Sequence, residues 1–100
     1  MLTNRQLFLQ HVGQTSDQPL MLEIERAEGI YMYDTRGRQY IDLISGVSVN
    51  NIGHRHPAVV EAIEEQMEKY MHLIVYGEMV QSPQVKLAKY LSDLLPEPLN

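Results

Sequence analysis

One hundred residues with a formal net charge of -5 make one domain's worth of chain at most. Apolar residues supply 44% of it, an ordinary globular share that argues against wholesale disorder. The dispersed acidic charge lacks the basic footprint of nucleic-acid or anionic-membrane binding, and the absence of cysteine removes disulfides, thiolate nucleophiles and Cys-rich zinc sites.

Thr3 or Asn4 is placed to cap a first helix running to Gln10 or Val12, with Leu7, Phe8 and Val12 on its apolar side and Gly13 as a stop. Gln14 to Pro19 is polar and turn-like, which reads as a loop. Met21 to Arg26 sets Leu22 and Ile24 against Glu23 and Glu25, the alternation of a half-buried strand. Ala27-Glu28-Gly29 turns the chain into a second strand, Ile30 to Asp34. Asp34-Thr35-Arg36-Gly37 suits a type I turn, and Tyr40, Ile41 and Leu43 continue as a third strand, so the pair reads as a hairpin. Val47 and Val49 are expected to start another short strand before Asn50-Asn51.

Pro57 opens a helix at the first-turn position where its missing N–H costs least. Val59, Val60, Ile63, Met67, Tyr70 and Met71 recur at helical spacing. Glu65 and Lys69 form an i,i+4 pair on its polar side. Glu61, Glu64, Glu65 and Glu68 read as its solvated face. Met71 to Gln81 has no period and contains Gly77, a loop. Ser82-Pro83 is a cap followed by a first-turn proline, and Val85, Ala88, Leu91, Leu94 and Leu95 form an apolar stripe that Pro96-Glu97-Pro98 ends. The fold class is α+β: an N-terminal helix, a small antiparallel sheet and two further helices. No apolar run approaches the ~20 residues that span a bilayer, and the N-terminus has no signal-peptide core, so a soluble, cytoplasmic chain is expected.

Gly53-His54-Arg55-His56-Pro57 places two histidines at i,i+2, but a zinc site needs three or four ligands and nothing brings His11 or His72 to them. Gly53 permits an unusual turn, and His56, preceding a proline, is biased to an extended backbone. Ser45-Gly46-Val47-Ser48 lacks the Gly-x-Ser-x-Gly frame of a nucleophile elbow, and no base is indicated. A glycine there also lets the backbone approach a ligand closely. Lys69, Lys86 and Lys89 are the only lysines, and each lies on the polar side or boundary of an amphipathic helix. Schiff-base chemistry needs a shielded, desolvated lysine, so solvated side chains are expected at all of them. Tyr31, Tyr33 and Tyr40 read as cross-strand packing.

Four stretches follow one another in a telling order: Gly29-Ile30-Tyr31-Met32-Tyr33-Asp34, Gly37-Arg38-Gln39-Tyr40-Ile41-Asp42, Ser45-Gly46-Val47, and Gly53-His54-Arg55-His56-Pro57. In order and spacing they resemble the opening of the class III aminotransferases, whose pattern runs G-x-Y-L-Y-D, G-R-x-Y-L-D, S-G-x-x-V and G-H-x-H-P before a helix. The likeness extends more loosely over nearly the whole chain.

The resemblance implies part of a fold type I enzyme dependent on pyridoxal 5'-phosphate (PLP). Residues 1–72 would form the small-domain part, and residues 73–100 a connecting loop and the first helix toward the large domain. It implies a usually homodimeric enzyme that moves an amino group from an amine or amino acid to a 2-oxo acid, with no nucleic-acid or membrane partner. The cofactor's lysine, its acidic partner and a Ser-Gly-rich phosphate loop would lie beyond Asn100, so no catalytic or cofactor-binding residue is assigned here and the 100-residue chain alone is expected to be inactive. Ser45, Gly46 and Val47 resemble the stretch that lines the substrate pocket. Ornithine-type members carry a tyrosine where Val47 stands, and a small aliphatic residue there is more similar to the acetylornithine and 4-aminobutyrate branches. The loop around Tyr76 resembles a region near the dimer interface. The alternative is a non-catalytic, stand-alone interaction module derived from that fold, docking through the apolar stripes of its helices.

Overall fold

Thr3 starts the first ordered element by capping it. Its hydroxyl accepts from the Gln6 backbone N–H at 3.3 Å, and its own N–H donates to Gln6 Oε1 at 2.8 Å, a reciprocal capping box. Helix α1 (Asn4–His11) ends where the Val12 N–H reaches the Phe8 carbonyl. Asn4 Nδ2 donates to Glu23 Oε1 at 3.0 Å, which ties the helix to the chain entering the sheet. The computed structural model describes residues 1–99, and it divides into two units, Met1–Glu65 and Gln66–Asn100.

The first unit holds an antiparallel sheet in the order β1 (Ile24–Glu28), β2 (Tyr31–Asp34), β3 (Gln39–Ile41). β1 begins three residues later than the alternation predicts, and Met21, at the expected start, sits at a positive φ of 56°. Its register with β2 slips between Ile24 and Arg26, a bulge. Ala27 and Glu28 are paired strand residues, so the turn is Gly29-Ile30 rather than Ala27-Glu28-Gly29. Gly29, at φ +56°, fills the first central position, where a two-residue hairpin of type II′ needs glycine. Across β1 and β2 the Arg26 guanidinium lies 3.6 Å from the centre of the Tyr33 ring, a cation–π pair.

The β2–β3 connection is a three-residue loop, Thr35-Arg36-Gly37. A type I turn closes it through Gly37 N–H to the Asp34 carbonyl at 2.9 Å, and Gly37 follows at φ +77°. Asp34, only 4% exposed, satisfies both carboxylate oxygens there. Oδ1 accepts from the backbone N–H groups of Arg36 and Arg38, each at 2.9 Å. Oδ2 accepts from Arg38 Nε at 2.7 Å and the Tyr40 hydroxyl at 3.0 Å. Burial pushes this carboxyl up, but these donors outweigh it and hold the group at about 2.

Helix α3 (Pro57–Met67) starts at the expected proline and ends at Met67, so Lys69 lies outside the helix on which a Glu65–Lys69 pair was expected. Beyond it, an irregular segment leads to α4 (Ser82–Leu94) in the second unit. Gln81, not Ser82, is the N-cap; its buried amide donates to the Ile74 carbonyl at 3.1 Å and so organises the loop instead of the helix end. Pro83 lies in the first turn, and Leu95 closes the helix before Pro96.

Among the described residues no apolar side chain is buried; Asp34 and Gln81 are the buried ones. The predicted stripes are present but uncovered: Val59, Ile63 and Met67 on α3, and Val85, Leu91 and Leu94 on α4, are all exposed. Among the described residues no helix is long and apolar enough to cross a membrane.

Candidate functional site: a left-handed turn held by a carboxylate–imidazole pair

β3 delivers Asp42 to the edge of the sheet, where its N–H donates to the Ile30 carbonyl at 2.8 Å. The chain then turns sharply. Asp42 Oδ1 accepts from the N–H groups of Ile44 at 3.1 Å and Ser45 at 2.8 Å, the geometry by which aspartate caps a helical start. A single short turn, α2 (Ser45–Ser48), follows, and it is left-handed. Ser45, Gly46, Val47 and Ser48 have φ of 54°, 60°, 61° and 63°. The Val49 and Asn50 N–H groups close it onto the Ser45 carbonyl at 2.8 and 3.0 Å.

The strand expected at Val47 and Val49 is therefore absent, and the stretch Ser45, Gly46 and Val47, which the resemblance would set against a substrate, lies in this turn. Glycine adopts the conformation freely, whereas each side-chain-bearing residue costs roughly 1–2 kcal/mol. The β-branched Val47 is the most unusual occupant. Val47 is 81% exposed.

His54 approaches from the other direction. Gly29 and His54 form an antiparallel bridge, with N–H to O distances of 3.0 and 2.7 Å. Gly53 makes that approach possible at φ +88°, because a Cβ there would stand 3.2 Å from the Gly29 carbonyl oxygen. The bridge brings His54 Nε2 to 2.6 Å from Asp42 Oδ2. The Asp42 side chain is 6% exposed and that of His54 19%. The Ser45 backbone N–H, then the His54 imidazole, hold the Asp42 carboxyl below its usual value against the opposing push of burial.

These contacts decide between the chemistries open to the motif residues. His54 is committed to Asp42, while the exposed His56 uses its carbonyl to accept from Val59 and Val60 and start α3. The two histidines do not converge, and among the described residues no cluster of three or more His, Asp or Glu side chains could hold a metal ion. Asp42 meets Ser45 through the backbone N–H rather than through a histidine on the hydroxyl, so the Ser–His–Asp order of an acyl-transfer triad is not formed. Lys69, Lys86 and Lys89 are exposed, and Lys89 Nζ pairs with Asp93 Oδ2 at 2.6 Å on α4.

Clefts among the described residues are lined by other side chains than those of this turn. One of about 490 Å³ runs between α1 and residues 19–24 in the first unit, lined by Phe8, Leu20, Met21, Leu22 and Met32. Another of about 480 Å³ in the second unit is lined by His72, Tyr76, Gln81 and Val85. Sequence reasoning names Asp42 and His54 within the motif stretches but misses that they pair, with Asp42 as the hub. An aspartate three positions before Ser45 is the spacing of a cap, and that signal could have exposed the hub.

A family model described as aminotransferase class-III matches residues 12–99. The acetylornithine aminotransferase of Methanopyrus kandleri is 44% identical over 75 residues, covering 73% of this chain and 18% of that protein. The adenosylmethionine-8-amino-7-oxononanoate aminotransferase structure from Methanocaldococcus jannaschii matches with a TM-score of 0.82 and 30% identity, over 93% of this chain and 22% of that one. The taurine:2-oxoglutarate aminotransferase from Bifidobacterium kashiwanohense, solved in complex with PLP and glutamate, matches with a TM-score of 0.76 and 31% identity, over 87% of this chain and 20% of that one. The chain thus spans about a fifth of the length of these relatives.

Proposed function

This chain belongs to the class III aminotransferase family, and from that premise we propose that it forms the N-terminal part of an enzyme moving an amino group from an amine or amino acid to a 2-oxo acid. The observation that carries the reading is the family match over residues 12–99, which includes all four motif stretches. We assign the Ser45-Gly46-Val47 turn to the substrate-facing wall, with residues 1–72 in the small domain and 73–100 leading to the large one. The relatives named acetylornithine aminotransferases make an N-acylated basic amino acid with a free side-chain amine the first donor to try. The test is glutamate formation from 2-oxoglutarate by the intact protein supplied with PLP and a panel of amine donors. PLP binding without any donor-dependent glutamate would overturn the reading.

The family uses PLP, which supplies an electron sink for bonds at the donor's amine-bearing carbon. The residues present here do not fit the covalent anchor of that cofactor. The three lysines are exposed, and a Schiff-base lysine must be shielded from water to lose its proton. The anchor therefore falls to residues outside these 100, and the chain alone is expected to be inactive. Donor-dependent glutamate formation from 2-oxoglutarate by the 100-residue chain with PLP, above that of PLP alone, would refute that expectation. Homodimeric assembly and a cytoplasmic site complete the proposal and rest on the family likeness.

The uncovered apolar side chains of α3 and α4 support a part that packs within a larger protein. They also suit a stand-alone docking module, and a monodisperse 100-residue monomer with a cooperative melt would favour that second reading.

A further inference from the structure

A run of left-handed residues that includes Ser45, Val47 and Ser48 persists only where its surroundings over-determine it. The turn's own backbone bonds close the loop onto Ser45 and Ile44, but they do not fix how it stands on the sheet. That attachment comes from Asp42, whose Oδ1 grips the Ile44 and Ser45 N–H groups where the chain enters the turn. Asp42 is itself gripped by His54 at 2.6 Å. His54 in turn is set by its bridge to Gly29, at the turn between β1 and β2. One chain of contacts therefore runs from the sheet through Gly29, His54 and Asp42 to Ser45. Its middle link is a largely desolvated carboxylate–imidazole pair, the kind of bond that is short and strong.

We infer that Asp42 and His54 form a positioning latch: the pair holds Ser45–Ser48 left-handed and thereby presents Ser45, Gly46 and Val47 at the substrate-facing wall. Neither residue touches the reacting atoms in this scheme. The pair acts through the turn, and only the kinetic part of the inference rests on the aminotransferase reading.

The experiment uses the intact protein and three variants: His54→Ala, His54→Gln and, as a control in the same motif, His56→Ala, whose side chain is exposed. Hydrogen exchange by mass spectrometry reads peptides covering residues 43–50 and, separately, the β1–β3 sheet. In His54→Ala the 43–50 amides are expected to exchange at least roughly tenfold faster while the sheet keeps its protection. KM for the amino donor is expected to rise roughly tenfold with kcat within about threefold of the parent value, as for lost ground-state and transition-state binding in equal measure. His54→Gln, which can still donate an N–H to Asp42, is expected to recover part of both losses, and His56→Ala to change neither.

Unchanged exchange at 43–50 in His54→Ala would overturn the latch. So would acceleration spread equally through the sheet, which would make the pair a general support of the fold. No recovery in His54→Gln would overturn its hydrogen-bond basis. If the parent protein transfers no amino group, the functional reading fails by itself and the exchange data alone decide the latch.

Discussion

Replacing Gly53 with alanine should loosen the anchor of the whole turn, and the geometry sets the size of the effect. A Cβ at Gly53 would lie 3.2 Å from the Gly29 carbonyl oxygen and 3.3 Å from its carbonyl carbon and Cα. Those atoms are backbone, held by both hydrogen bonds of the Gly29–His54 bridge, so they cannot swing aside as a side chain would. The left-handed conformation costs a residue with a Cβ about 1–2 kcal/mol, and forcing a carbon against packed neighbours adds about 1–3 kcal/mol. Gly53→Ala is therefore expected to destabilise the bridge by about 2–5 kcal/mol. Gly37, at φ +77° with nothing within 4 Å of its Cβ position, isolates the conformational part. Gly37→Ala should cost only about 1–2 kcal/mol at the β2–β3 turn. Gly13 has neither feature, and its alanine variant should be neutral or stabilising by up to about 1 kcal/mol. Hydrogen exchange on the intact protein, read at the Gly29 and His54 amides for Gly53→Ala and at the Gly37 amide for Gly37→Ala, reports these local openings without assuming one cooperative transition. At least roughly thirty-fold faster exchange is expected in Gly53→Ala. Equal effects at Gly53 and Gly37 would refute the close approach, and a neutral Gly53→Ala would refute the left-handed backbone as well.

Thr3→Ala removes the capping box and should weaken α1 by about 0.5–2 kcal/mol, read as lost protection of the Gln6 and Leu7 amides. Full protection in that variant would mean that contacts to Glu23 hold the helix start instead. Asp34 is held at about 2 against an ordinary carboxylate value of 3.8. A carboxyl lowered in the folded state adds stability that is complete above the ordinary value and lost as pH falls through the lowered one. The hairpin should thus keep its protection down to about pH 4 and lose this contribution toward about pH 2, a step that Asp34→Asn should abolish. A nuclear magnetic resonance titration placing the Asp34 midpoint near its ordinary value would refute the network. Borohydride reduction of the intact protein loaded with PLP, followed by peptide mapping, should label a lysine other than Lys69, Lys86 and Lys89. A label on any of these would overturn the assignment of the anchor to residues outside this chain.

What was legible in the sequence is what short-range chemistry determines. The α1 start at Thr3, the Asp34-to-Gly37 turn, the proline at the start of α3 and the loop before α4 each follow from a few neighbouring residues. The failures lie where a distant contact overrides local preference. Val47 and Val49 have the β-branched chemistry of a strand. They sit instead in and beside a left-handed turn, because Asp42 and His54, twelve positions apart, close on each other. Ser82 has the chemistry of a cap, but the chain enters α4 one residue earlier, and Gln81 spends its amide on Ile74. The apolar stripes on α3 and α4 were readable as periodicity, yet nothing local states what covers them.

The same division explains why the motif stretches identify the family while the apolar residues do not. The first two stretches are one hairpin seen twice. Asp34 closes the first, and Arg38 and Tyr40 of the second donate to its carboxylate. The last two are likewise one device. Asp42, at the end of the second stretch, grips Ser45 in the third and His54 in the fourth. Each polar motif residue is consumed by a specific backbone geometry, so its identity and spacing carry information that a solvated side chain or an interchangeable apolar one would not. With no apolar side chain buried among the described residues, these hydrogen-bonded turns join the strand ladders in holding the first unit together. The longest run of left-handed residues in the unit is the Ser45–Ser48 turn, where we propose that the substrate lies. On that proposal a rigid wall requires that the Asp42–His54 pair be intact, and this makes the pair the first position at which a substitution outside the proposed substrate-lining residues should alter donor binding.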